Sequence, residues 1–322
     1  MTKGNGKFNR FPVYHAVYSI TMNDSPVPVD NDAVSEMPLV LLTRPARQAE
    51  KSDARLREAG FRVLLQPMIE IRPPEDWGPV DSAIERLTQS KDTAFDWLIF
   101  AGQNGVAFFF DRLFDRLCDR LFDRPFDQLH PLRPGLFRPE HRNDHSFLHR
   151  IRIAVVGKGT ENALVETISR KADVYSEKGD SEEILDVILR RSVAGKRFLI
   201  LRANRGRDLY RQPLLDAGAG EVLELPVYRS VDVERADPAV WEHLTKGRID
   251  FTTVSSSAIA ASLVRMFGSA LRNTALVSIS PITSRTLNDS GYPPAFEAEA
   301  ASMDAMIKTM IAARDKNILL QK

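Results

Sequence analysis

Leu39 to Pro67 reads LVLLTRPARQAEKSDARLREAGFRVLLQP, and Phe198 to Pro226 reads FLILRANRGRDLYRQPLLDAGAGEVLELP. Each copy is an apolar run, a basic turn, a stretch with helical spacing, a second apolar run and a proline. At equal offsets Thr43 corresponds to Arg202 and Pro67 to Pro226. The recurrence continues downstream: Asp96 to Val106 (DWLIFAGQNGV) matches Asp250 to Ala260 (DFTTVSSSAIA), and Ala154 to Thr160 (AVVGKGT) matches Val277 to Thr283 (VSISPIT). Two similar halves imply two similar lobes, and a pseudo-twofold pair of lobes places a ligand between matched strand ends.

Within the first copy, Leu39 to Thr43 is a strand that ends at Arg44-Pro45. Pro45 suits the first turn of a helix that Ala54, Leu56 and Ala59 carry to a stop at Gly60. Arg62 to Leu65 is a second strand, and Pro67 to Arg72 alternates apolar and polar residues before Pro73-Pro74, as a linker strand does. Strands are then expected at 96–100, 151–156 and 173–175, with helices near Val80 to Leu87 and from about Asn104, Thr160 and Ser181. Such alternation predicts an α/β fold of parallel sheets covered by helices on both faces.

At 322 residues there is room for two domains that each bury a core. Hydrophobic residues make up 43%, charged residues 27%, and the net charge is +1, so nothing favours nucleic acid or an anionic membrane and any anion site is local. A single cysteine, Cys118, excludes an intramolecular disulfide framework and suits a reducing, cytoplasmic setting. No apolar run approaches the roughly 18 residues of a membrane span. Residues 1–37 are polar and turn-rich, and Pro12, His15 and Ser19 interrupt their apolar stretch, so a disordered extension is expected rather than a secretory segment.

One stretch breaks the repeat. Phe100 to Thr160 spans 60 residues against 29 for Val254 to Thr283, which exposes an insert at about 111–145. Asp111, Asp115, Asp119, Asp123 and Asp127 recur every four residues with Arg112, Arg116, Arg120 and Arg124 beside them. A period of four drifts roughly 40° per repeat around a helix, so the repeat makes no fixed apolar face. It is expected to extend a surface helix to about Arg124 and then pass into a loop with Pro131, Pro134 and Pro139; a partner-binding arm is the functional alternative.

His141, His145 and His149 stand at i, i+4 and i+8, but they lie in or beside the insert, have no counterpart in the second half and lack a cysteine or carboxylate at diagnostic spacing, so no metal is expected. Gly157 and Gly159 resemble the start of a dinucleotide fingerprint that lacks its third glycine, and the second copy keeps neither. What the copies share is Thr160 and Thr283, each at a helix start. A cap explains either alone, whereas a matched pair facing one cleft would suit carboxylates. Gln103-Asn104 and Ser255-Ser256-Ser257 likewise open helices after strands. Arg44, Arg202, Arg205 and Arg207 follow the two equivalent strands, and Lys158 and Arg285 lie by the threonine turns. Each alone is a solvated charge; together they would make an electropositive cleft for a polyanionic small molecule.

In their order and spacing these elements resemble the uroporphyrinogen-III synthase family. The likeness covers roughly Leu39 to Ile311 apart from the insert. It runs through Thr43-Arg44-Pro45, IFxxxNGV at Ile99 to Val106, VGxxT at Val156 to Thr160, LRxxxGR at Leu201 to Arg207, PVYR at Pro226 to Arg229, the serine run and the second threonine turn. No single motif is specific; their succession is.

The resemblance implies lobes built across the halves, one from 39–66 and 234–314 and the other from 76–223, joined by a two-stranded ladder of 67–75 and 224–233. It implies a monomer that acts without cofactor or metal on hydroxymethylbilane, a linear tetrapyrrole with eight carboxylates. The hydroxyl would leave as water, the last pyrrole ring would invert through a spiro intermediate, and the macrocycle would close. Transient contact with the enzyme that supplies this unstable substrate stays open. Tyr228 stands where the family has its tyrosine and would donate to the leaving hydroxyl. Substrate contacts would come from Thr43, Arg44, Gly102, Gln103, Asn104, Lys158, Thr160, Arg202, Arg205, Arg207, Ser255, Ser256, Ser257 and Thr283. The chain departs from the family in having Ala101-Gly102 where Thr-Ser is usual, and Ser280 in place of a glycine. A non-catalytic descendant that binds a tetrapyrrole or another polycarboxylate is the competing reading.

Overall fold

The computed structural model describes residues 37–89, 94–122, 146–176 and 179–316. The expectations for the N-terminal extension, for His141 and His145, and for the proline-rich loop fall outside them. The strands are β1 (Leu39–Leu42), β2 (Arg62–Leu65), β3 (Ile69–Arg72), β4 (Trp97–Phe100), β5 (Arg152–Val156), β6 (Val174–Ser176), β7 (Arg197–Ala203), β8 (Glu221–Asp232), β9 (Phe251–Val254), β10 (Ala275–Ser278) and β11 (Phe296–Glu297). Between them lie helices α1 (Ala46–Glu58), α2 (Gly78–Gln89), α3 (Gln103–Phe122), α4 (Ser146–His149), α5 (Lys158–Ile168) and α6 (Ser181–Leu189). The second half adds α7 (Arg211–Asp216), α8 (Pro238–Thr245), α9 (Ser257–Phe267), α10 (Pro281–Asp289) and α11 (Met303–Asp315). Among the described residues no helix is long and apolar enough to cross a membrane.

The duplication is visible in the strand orders. One sheet runs β11-β10-β9-β1-β2 and the other β6-β5-β4-β7-β8, with β3 added beyond β8. Replacing each strand by its duplicate converts one order into the other. Each sheet therefore takes strands from both halves, and every pairing is parallel except β3 with β8. Equivalent aspartates hold equivalent junctions: Asp250 accepts from the Leu39 N–H at 2.7 Å, and Asp96 accepts from the Arg197 N–H at 2.8 Å.

The register corrects the sequence alignment by one residue in the first strand. Phe251 lies opposite Val40, whereas its duplicate Trp97 lies opposite Phe198. Val40 is thus equivalent to Phe198, which aligns Arg44 with Arg202 and sets Thr43 against Leu201. One residue flips every side chain of a strand to the other face, so the difference decides what each strand end presents. Equal offsets do hold at β2 and β8, where Arg62 and Glu221 take equivalent places opposite Leu39 and Arg197. The missing residue is therefore absorbed by the connection between the strands.

Both sheets are buried on two faces. Leu98, Phe100, Ile153 and Leu199 join one core, while Trp97, Ile99, Ala154 and Phe198 join the core on the opposite side. In the other sheet Leu39, Leu41 and Val254 face one core and Val40, Leu42 and Phe251 the other. Period-two alternation with no polar face is what a parallel sheet covered by helices requires.

β8 belongs to both regions. Its first half pairs with β7, and its second half pairs antiparallel with β3 from Arg229 opposite Arg72 to Asp232 opposite Ile69. The change of partner follows Pro226, which has no N–H to donate to a ladder. There Arg202 pairs with Pro226 but Ala203 pairs with Tyr228, so Val227 is an extra residue and β8 bulges. Bulges re-aim the neighbouring side chain, and here that side chain is Tyr228.

Candidate active site

Tyr228 is half-buried, with its ring packed on Phe108 of α3 at a centroid distance of 5.9 Å. Burial pushes the phenol pKa above its ordinary value, and the polar Asn104 side chain beside it draws it back part of the way. Gly102 flanks the same oxygen: a Cβ at that position would stand 3.8 Å from it. The turn that opens α3 therefore brings Gly102 and Asn104 to the tyrosine. Gln103 points elsewhere along the same edge, its Oε1 lying 3.6 Å from where a Cβ on Gly159 would be.

The other sheet contributes from α1. Gln48 donates from Nε2 to Asn104 Oδ1 at 3.1 Å, and Arg44 donates from Nη2 to Gln48 Oε1 at 3.1 Å. Arg44 also reaches Ser52 Oγ at 3.4 Å, while its buried Nε has no hydrogen-bond partner. Burial lowers its pKa, and among the described residues no carboxylate pairs with it. Gln48 is the residue that sequence reasoning missed. Part of the signal was present, since 48 and 52 are four apart on one face of α1, which starts two residues after Arg44.

Several expected contacts are occupied within the protein. Thr43 is fully buried, donates to the Thr253 carbonyl at 2.5 Å and so fastens β1 to β9. Thr160 donates to the Val156 carbonyl at 2.6 Å, and Thr283 lies 3.2 Å from the Ser280 hydroxyl; both threonines are buried. Both threonines thus take part in the hydrogen bonding of their own turns. Arg202 pairs with Glu224 at 2.8 Å, Arg205 with Asp232 at 2.9 Å, and Arg207 with Glu182. Arg44, Lys158 and Arg285 have no carboxylate partner among the described residues. Lys158 is exposed with its ammonium 5.6 Å from the Tyr175 ring centroid, and Arg285 is exposed. In the serine run, Ser256 caps α9 through the Ile259 N–H, Ser257 accepts from Thr286 at 2.9 Å, and Ser255 is part-exposed. Among the described residues no cluster of His, Cys, Asp or Glu is arranged to hold a metal ion.

The fold and this site define a duplicated, two-lobed α/β protein that gathers a half-buried phenol, two carboxamides and a guanidinium with no carboxylate partner among the described residues where its two sheets approach. Comparison with known proteins gives the class its family: residues 50–308 match the family described as uroporphyrinogen-III synthase HemD, and the chain belongs to that family. The uroporphyrinogen-III synthase of Synechococcus elongatus is 28% identical over 287 residues, covering 85% of this chain and 96% of the relative. That of Chlorobaculum parvum is 25% identical over 240 residues, covering 72% and 80%. Among solved structures, a mutant uroporphyrinogen III synthase from the extremely thermophilic bacterium Thermus thermophilus superposes with a TM-score of 0.55 at 16% identity, covering 87% of this chain and 99% of that one, a likeness of fold.

Proposed function

We propose that this chain is a uroporphyrinogen-III synthase, a lyase of tetrapyrrole biosynthesis that closes hydroxymethylbilane with inversion of ring D and loss of water. Family membership supports the reading. The observation that carries it is Tyr228, which follows the β8 bulge, faces the turn of Gly102 and has its phenol pKa raised by burial. A pyrrole nitrogen expels the leaving hydroxyl largely by itself, so the protein needs one weak acid and a shaped cleft. A phenol whose pKa is raised is such an acid across the neutral range. Arg44, Lys158 and Arg285 supply cations for substrate carboxylates, and the Gly102 and Gln103 turn supplies backbone N–H groups in place of the hydroxyls that Ala101-Gly102 lack.

The test is the isomer formed. Hydroxymethylbilane closes without inversion to the type I product on its own, so the type III fraction after incubation, read by chromatography of the oxidised porphyrins, reports catalysis. Predominantly type III product is expected. Type I product alone, with the substrate still bound, would instead mark a non-catalytic binder.

A further inference from the structure

Hydrogen-bond direction along Arg44, Gln48 and Asn104 is set from one end, and Asn104 stands on the turn that Gly102 brings to the Tyr228 hydroxyl. A guanidinium only donates, so the Gln48 oxygen must face Arg44 and its NH2 group must face Asn104. The Asn104 oxygen is then the acceptor in that contact, at 3.1 Å. Its remaining polar group, the NH2, is what it can turn to the phenol. A phenol oxygen that accepts from an amide keeps its own proton free for another acceptor, whereas a reversed carboxamide would capture that proton.

We propose that Gln48 and Arg44 are positioning residues: they orient the Asn104 carboxamide from the opposite lobe and so keep the Tyr228 proton turned toward the cleft. The device ties acid readiness to the approach of the lobes. Gln48 and Asn104 stand on helices covering different sheets, so separating the sheets releases Asn104 and allows its carboxamide to turn. The inference rests on the reaction proposed above for the fate of the proton; the orientation of the phenol is separately measurable.

Gln48→Glu tests it. A carboxylate accepts from Arg44 but also demands a donor from Asn104, which reverses that carboxamide and presents its oxygen to the phenol. The expected result is a kcat lowered about tenfold, with Gln48→Glu/Tyr228→Phe no slower than Tyr228→Phe alone. The Tyr228 ionisation, obtained as the ultraviolet difference between proteins with and without Tyr228, should move to higher pH in the Gln48→Glu background. Equal slowing by Gln48→Glu in the presence and absence of Tyr228, or an unmoved phenol titration, would overturn the proposal. Gln48→Met, which keeps the length but has no amide, carries the same comparison if the carboxylate disturbs folding. Should the wild type form no type III product, the reaction assignment fails while the titration still judges the relay.

Discussion

Tyr228 shows what a single residue contributes in this site. Its duplicate by position is Ile69, and both follow a fully buried residue, Val227 and Met68. The copies differ here in strand continuity, since Ile69 opens a separate strand while Tyr228 lies within the bulged β8, and in the side chain that carries a proton. Because burial raises the phenol pKa, the acid stays loaded through neutral pH, and the alkaline fall in rate should lie above the ordinary tyrosine range. Tyr228→Phe removes the donor and keeps the packing on Phe108. Turnover should drop about ten- to a hundredfold without vanishing, and the alkaline limb due to the phenol should disappear from the pH–rate profile. Unchanged turnover in a folded variant would remove Tyr228 from the mechanism.

At the scale of elements, α3 combines two sequence patterns. Its first turns bury Val106, Phe109, Phe110 and Leu113, while the four-residue repeat begins on its other side. Arg112 makes a bidentate contact with Asp81 at 2.7 and 2.5 Å, and Arg116 reaches Glu85 at 3.0 Å. Asp81 and Glu85 are themselves four apart on α2, so the first repeats match a partner helix in register. The start of the insert is thereby a helix–helix seam rather than a free surface. With side chains 21% and 19% exposed, the Arg112–Asp81 pair is more enclosed than an ordinary surface pair. A double-mutant cycle with Asp81→Ala and Arg112→Ala in urea should return a coupling of about 1 kcal/mol. A coupling near zero would return the repeat to the status of solvated charge.

Across the whole molecule, several groups among the described residues tie the two sheets together. The β3–β8 ladder is one tie, Asp232 with Arg205 and Arg265 is a second, and Gln48 with Asn104 is a third. Asp232 is depressed below the ordinary carboxylate range: burial raises its pKa, but the bonds and charge of Arg205 and Arg265 outweigh that. Each sheet has its own pair of cores, so the lobes should unfold with separable midpoints. Trp97 stacks on Phe198 in one lobe and Trp241 on Phe267 in the other, which provides a reporter for each. Phe198→Ala should lower the denaturation midpoint seen in a protein retaining only Trp97 and leave that seen by Trp241 nearly in place. Equal shifts at both reporters would mean that the lobes fold as one cooperative unit.

The local sequence determined the strands, the helices and the duplication, because period, caps and prolines act over a few residues and leave their mark in the chain; Tyr228 stands out only through the family resemblance. It also exposed the insert by subtraction. Tertiary structure alone decided which polar groups remain available. Thr43, Thr160, Arg202 and Arg205 turn out to bond strand carbonyls or carboxylates of the protein itself, and Gln48 looks like surface until Asn104 is found beside it. The one-residue register difference between β1 and β7 belongs to the same class, since strand pairing is set by hydrogen bonds to β4 and β9 and not by the spacing of the copies. Hydrogen-bond partners distant in sequence complete or cancel a side chain's capacity, and that is information no stretch of the chain carries by itself.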